Sequence, residues 1–192
     1  FMVVGQACRC WSQRSRALVP RSLEPKYTLT MPTSAQTPSS PPQGNLFSAL
    51  RDGFPSDLDG VAVETDTGLN YSWRDLERAS AMLANLLVSL QLPAGARLAA
   101  QVDKSVEAML LYLATLRAGL VFLPLNTAYQ SAEMAYFIGN AEPAVVVCTG
   151  KNFGWVSKIA FKAGVTHVFT LNDDRTGSLL QRARHCADQQ AV

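Results

Sequence analysis

Residues 95–129 read GARLAAQVDKSVEAMLLYLATLRAGLVFLPLNTAY. A short apolar run, a run with helical spacing and a second apolar run follow one another with almost no connecting residues. That order predicts a βαβ unit with a parallel strand pair. In the middle element Val106, Met109, Leu110, Leu113 and Leu116 recur at helical spacing, with Lys104 and Glu107 near its start and Arg117 at its end. Residues 108–116 are apolar almost all round, which predicts a helix covered on more than one side. Gly119 stands where a left-handed residue ends a helix. Leu120 to Leu125 read as a buried strand, with Pro124, which cannot donate to a sheet ladder, at its end.

Upstream of this unit, Asn45 is placed to cap a short helix carrying Leu46, Phe47 and Leu50. Gly60 to Thr65 read as a strand, Asp66-Thr67-Gly68 as a turn and Leu69 to Tyr71 as the returning strand of a hairpin. Ser72 with Asp75 three residues on forms a capping box, with Asp in place of the usual Glu. Leu76, Ala79, Leu83, Leu86, Leu87 and Leu90 make the buried stripe of the helix that follows, which Pro93 and Gly95 are expected to end.

Downstream, Ser131 is expected to cap a helix bearing Met134, Phe137 and Ile138 and closed by Gly139 and Asn140. Ala144 to Cys148 form a fully apolar strand, Phe153 to Ala163 a helix stopped by Gly164, His167 to Leu171 a strand, and Ser178 to Ala187 a last helix. From Arg97 the order is β-α-β-α-β-α-β. The fold class is α/β, a mostly parallel sheet with flanking helices.

The chain has 192 residues, 48% hydrophobic and 17% charged, enough for a real core. Its net charge of +2 divides unevenly, with a net +4 on residues 1–44 and −2 on the remainder. The folded part is faintly acidic, which argues against a nucleic-acid surface there. Pro32 to Gly44 are nearly all Pro, Ser, Thr, Gln and Ala, a composition that cannot bury enough surface to order itself, so residues 1–44 read as a tail. Residues 1–30 are basic and almost free of acid, as in a mitochondrial targeting segment. The simpler reading takes Met31 as the start and the compartment as cytoplasmic. No apolar run approaches the roughly 20 residues of a membrane span. Cys8, Cys10, Cys148 and Cys186 show neither a disulfide framework nor metal-ligand spacing, and Cys148 reads as a buried thiol.

The chemical candidates are few. Thr149-Gly150-Lys151-Asn152 sits between a strand and a helix, where a phosphate-cradling loop could lie. Such a loop needs Gly where Val145 stands and Ser or Thr where Asn152 stands, so an ordinary turn is expected. His167 and His185 have no Cys, Ser or Asp partner at a catalytic or metal-binding spacing. Asp173-Asp174 read as a solvated turn, and Tyr71 with Trp73 as packing residues. No catalytic, cofactor-binding or metal-binding residue is assigned.

Two segments carry a family resemblance. Tyr71-Ser72-Trp73-Arg74-Asp75-Leu76 resembles the first core motif of the adenylate-forming acyl-CoA synthetases, and Leu116 to Asn126 resembles the second. Asn45-Leu46-Phe47, Lys104 to Ala108, Leu111 to Thr115, Asn126 to Tyr129 and Ala141 to Cys148 together resemble the malonyl-CoA synthetases (malonate–CoA ligases) within that superfamily.

The resemblance covers residues 45–185. It implies the N-terminal part of the adenylate-forming fold, and a reaction of malonate with ATP, Mg2+ and coenzyme A through malonyl-adenylate. The Ser/Thr/Gly-rich phosphate loop ending in Lys does not occur within these residues. Nor do the adenine and magnesium motifs, the Arg residues expected to hold malonate's second carboxylate, or the catalytic Lys of the C-terminal subdomain. Residues 45–192 are therefore expected to be a piece of an AMP-binding domain that stops before the phosphate loop and is inactive alone. A stand-alone non-catalytic module, or a synthetase for another small carboxylate, is the alternative.

Overall fold

The computed structural model describes residues 44–190; residues 1–43 of the predicted tail, with the two cysteines at 8 and 10, lie outside them. The elements are α1 (Leu46–Asp52), β1 (Val61–Glu64), β2 (Asn70–Ser72), α2 (Trp73–Ser89), β3 (Arg97–Gln101), α3 (Val106–Arg117), β4 (Val121–Pro124), α4 (Ser131–Ala141), β5 (Val145–Cys148), α5 (Phe153–Lys162), β6 (His167–Thr170) and α6 (Ser178–Gln190). A single 3-10 turn, Gly150–Asn152, precedes α5. The expected order from Arg97 is the observed one.

β1 and β2 pair antiparallel as the predicted hairpin. The other four strands form one parallel sheet in the order β4-β3-β5-β6. Alternation along the strands divides the core in two. Leu98, Ala100, Val145 and Val147 face α2, α3 and α6. Ala99, Val146 and Cys148 face α4 and α5 on the other side. The chain passes from β3 to β4 through α3, then returns across β3 to β5 through α4. The sheet is doubly wound, and its direction of winding reverses between β3 and β5.

Local chemistry sets the helix starts. Ser72 Oγ accepts from the Asp75 amide at 3.1 Å, and the Asp75 carboxylate accepts from the Ser72 amide at 2.9 Å, completing the capping box. Asn45 Oδ1 accepts from the Phe47 amide at 2.8 Å while its Nδ2 donates to Leu116 O at 3.0 Å, so one side chain both starts α1 and fastens it to α3. Glu77 on α2 strengthens that joint by pairing with Arg51 of α1 and with Arg117 of α3. The Arg117 guanidinium in turn lies 4.3 Å from the Phe47 ring centroid.

Several boundaries differ from the sequence-based expectation. α2 stops at Ser89, before Pro93, because Gln91 turns left-handed at φ 53°. α4 is capped by Gln130, whose amide donates to Glu133 at 3.1 Å, so Ser131 is its first residue. Gly139 and Asn140 lie inside that helix, which ends at a left-handed Glu142 with Pro143 behind it. On α1 only Phe47 is buried, and Leu46 and Leu50 face outward. β4 is the sheet's edge rather than a fully buried strand, with Val121 49% exposed. Central β5 is the fully buried one.

Candidate functional site

Reversal of winding leaves a crevice outside the carboxyl ends of β3 and β5, the place where open α/β sheets bind ligands. Three loops meet there: residues 102–105 after β3, 125–130 after β4, and 149–152 after β5. Gln101 closes β3 beneath them with no exposed surface. Its Nε2 donates to Asn126 O at 3.2 Å and to Tyr129 O at 3.0 Å. Its Oε1 accepts from Asn152 Nδ2 at 3.3 Å. One buried amide thus reaches both the β4 and the β5 loop from the end of β3. Above it, Lys151 Nζ lies 3.6 Å from Asp103 Oδ2 across the crevice. Both side chains are substantially exposed, so the pair contributes little energy.

The Gly-Lys turn is spent on structure. The Gly150 amide, which a phosphate-binding loop would aim at an anion, donates to Asn172 Oδ1 at 2.7 Å. A Cβ on Gly150 would come within 3.1 Å of that same oxygen. Asn172 in turn donates to Thr176 Oγ1 at 2.9 Å, so the β5 turn is pinned to the β6–α6 loop. The Gly150 amide is therefore turned toward Asn172 rather than left open to an anion.

Asp174 also belongs to that loop. Its carboxylate accepts from the Thr176 hydroxyl and amide, and those donors hold it below the usual carboxylate range. Asp173 and Asp174 are a solvated turn, and no cluster of three or more potential ligands for a metal occurs among the described residues. His167 sits half-buried on β6 and His185 on the exposed side of α6. Trp73 packs on Phe54 with ring centroids 4.7 Å apart.

Tyr71 does something the sequence did not announce. Its hydroxyl donates to Glu107 Oε1 at 3.0 Å, giving a partner to a carboxylate that is only 7% exposed on α3. Burial, with the Glu107 charge beside it, pushes the Tyr71 phenol up, and Arg175 opposes the shift.

Cys148 is fully buried at the end of β5, and burial pushes its thiol from 9.0 up to about 11. The folded state therefore holds a proton that the unfolded chain releases first. Stability from this group is intact below pH 9 and declines as pH rises from 9 through 11. A urea midpoint that falls over this interval, and falls less in Cys148→Ala, is the expected result. Cys186, half-buried on α6, should be alkylated at neutral pH well before Cys148.

With the sheet and its crevice in place, comparison with known proteins is decisive for the family. The sequence pattern of the AMP-binding enzymes matches residues 56–190. The chain belongs to the AMP-binding enzyme family. Medium-chain fatty-acid–CoA ligase of Escherichia coli (strain K12) is 30% identical over 84 residues, 44% of this chain and 15% of that protein. The crystal structure of apo MatB from Rhodopseudomonas palustris matches with a TM-score of 0.69 and 47% identity, covering 73% of this chain and 28% of that one. Its ATP-bound form matches at 46% identity with the same TM-score, covering 73% of this chain and 27% of that one.

A benzoate CoA ligase from Burkholderia xenovorans LB400 shares the fold at 19% identity and a TM-score of 0.64, covering 73% of this chain and 28% of that one. The chain spans about a quarter of the length of these solved relatives. Its α/β fold is that of the N-terminal part of the adenylate-forming enzymes. Among the described residues no helix is long and apolar enough to cross a membrane.

Proposed function

We propose that residues 45–192 form the N-terminal portion of an adenylate-forming acid–CoA ligase whose carboxylate substrate is malonate. The observation that carries the reading is the 47% identity to MatB across 73% of this chain. It is supported by the segments from Lys104 to Cys148 that resemble malonyl-CoA synthetases. In this reading the carboxylate of malonate attacks the α-phosphorus of ATP, releasing pyrophosphate and forming malonyl-adenylate. The thiol of coenzyme A then displaces AMP and loses its proton, giving malonyl-CoA. Mg2+ offsets the phosphate charge in the first step.

The residues described here contribute the sheet, its crevice and the joint between α1, α2 and α3. The phosphate loop itself would come from outside these residues, since the Gly150 amide is already taken by Asn172. Residues 1–192 alone are therefore expected to show only background malonate-dependent exchange of pyrophosphate into ATP. The polypeptide that continues into a Ser/Thr/Gly-rich loop should show strong exchange and release malonyl-CoA. Exchange by the 192-residue chain itself would refute the scaffold role. Exchange that another small acid drives and malonate does not would refute the substrate.

A further inference from the structure

A fully buried glutamine is costly unless its amide is satisfied, so the partners of Gln101 report what it is for. Two of its side chain's three hydrogen bonds go to backbone carbonyls of one loop, Asn126 O and Tyr129 O, and the third comes from Asn152. The Tyr129 ring stacks on Phe137 of α4 with centroids 5.0 Å apart, and the remaining backbone hydrogen bonds of residues 126–129 are local. Ala128 N donates to Asn126 Oδ1 at 2.9 Å, and Tyr129 N to Asn126 O at 3.1 Å. Asn126 and Thr127 form one wall of an open groove whose opposite wall is Val102, Asp103 and Lys104. Asp103 is engaged by Lys151, while Lys104 has no ion-pair partner among the described residues. Amide, hydroxyl and ammonium donors on facing walls suit an anionic group, a carboxylate or a phosphate.

We propose that Gln101 is a positioning residue: it holds the Asn126–Tyr129 loop in register as one wall of a groove that takes an anionic group of a substrate. The loop touches the ligand, and Gln101 acts through the loop. This assignment of the groove rests on the ligase reading; the coupling of Gln101 to the loop does not.

The test uses the full-length polypeptide that carries these residues, with Q101M, which keeps the unbranched shape and removes the donors, and Q101E as a second variant that also removes them. N152A, which leaves both carbonyl contacts intact, is the control. Amide exchange followed by mass spectrometry should show Ala128 and Tyr129 exchanging about tenfold faster or more in Q101M and Q101E, unchanged in N152A, and unchanged on β5 in all three. KM for malonate, ATP and coenzyme A is then measured separately. One of them should rise about fivefold or more with kcat within about twofold, and the substrate whose KM moves names the group in the groove.

Unaltered loop exchange in both Gln101 variants would overturn the positioning role. Faster exchange with all three KM values unchanged would overturn the groove as a substrate site. A wild-type protein that protects the loop yet makes no malonyl-CoA would overturn only the ligase reading, with the exchange data still deciding on Gln101.

Discussion

Gly177→Ala will destabilise the protein by about 3 kcal/mol or more, a large effect for removing nothing and adding one methyl group. Gly177 has φ 132°, a region that L side chains rarely adopt. A Cβ there would stand 2.3 Å from the carbonyl oxygen of Thr170 and 3.1 Å from Leu171 Cα, both backbone atoms that cannot rotate away. The close approach exists because β6 and α6 are laced together at this point. The Thr170 amide donates to Ser178 Oγ at 2.9 Å, and the Ser178 amide donates to Thr170 Oγ1 at 2.9 Å. A methyl group would have to open that lacing and lift α6, whose Leu179 and Ala183 are fully buried against the sheet. Gly68→Ala separates conformation from collision. Gly68 has φ 79° with open space around it, so its replacement should cost only about 1 kcal/mol. Urea unfolding of the two variants checks both, and equal losses would mean that backbone strain alone, not the contact with Thr170, governs position 177.

Such a contact could not be read from the sequence. Asp173-Asp174 reads as a solvated turn, and Ser178 as a helix start, but the approach of Gly177 to Thr170 is set by how α6 returns over the sheet. The same limit explains β4. Its residues are as apolar as those of β5, and hydrophobicity alone does not say which strand ends up at the edge. Only the order β4-β3-β5-β6 does. Pro124 was the local hint, since proline is tolerated where a ladder stops. What was legible is what local chemistry decides: the capping box at Ser72, the Asn45 cap, the left-handed Gly119 and Gly164, and the alternation of helix and strand. The crevice was not, because Gln101, Asn126, Tyr129 and Asn152 lie far apart in sequence. Their only signal there was a lone glutamine ending an apolar strand.

The α3 face separates the two kinds of information most sharply, and Leu111→Ala tests it. Apolar spacing alone put Val106, Met109, Leu110, Leu113 and Leu116 on the buried side. In the structure Leu110 and Leu113 are buried as expected, Val106, Met109 and Leu116 are half-buried, and Glu107, Leu111, Ala114 and Thr115 are buried as well. The buried face is wider than the apolar stripe because Glu107, which polarity alone would place outward, is accepted inside by the Tyr71 hydroxyl from β2. Thr115 is accepted likewise, its hydroxyl donating to Leu111 O at 2.7 Å. Leu111 has no exposed surface and sits in the core shared with α2 and α6. Truncating it should cost about 3 kcal/mol, the transfer of the lost methyl groups plus the cavity they leave in a core bounded by helices on one side and a sheet on the other. Leu116→Ala, at a half-buried position, should cost roughly 1 kcal/mol. The ratio is the diagnostic quantity, because both variants delete the same atoms from the same helix. If chemical denaturation ranked Leu116 above Leu111, α3 would be rotated toward the face that spacing alone suggests. Tyr71 would then have lost its partner, and Tyr71→Phe would be neutral instead of leaving the Glu107 carboxylate buried without a donor.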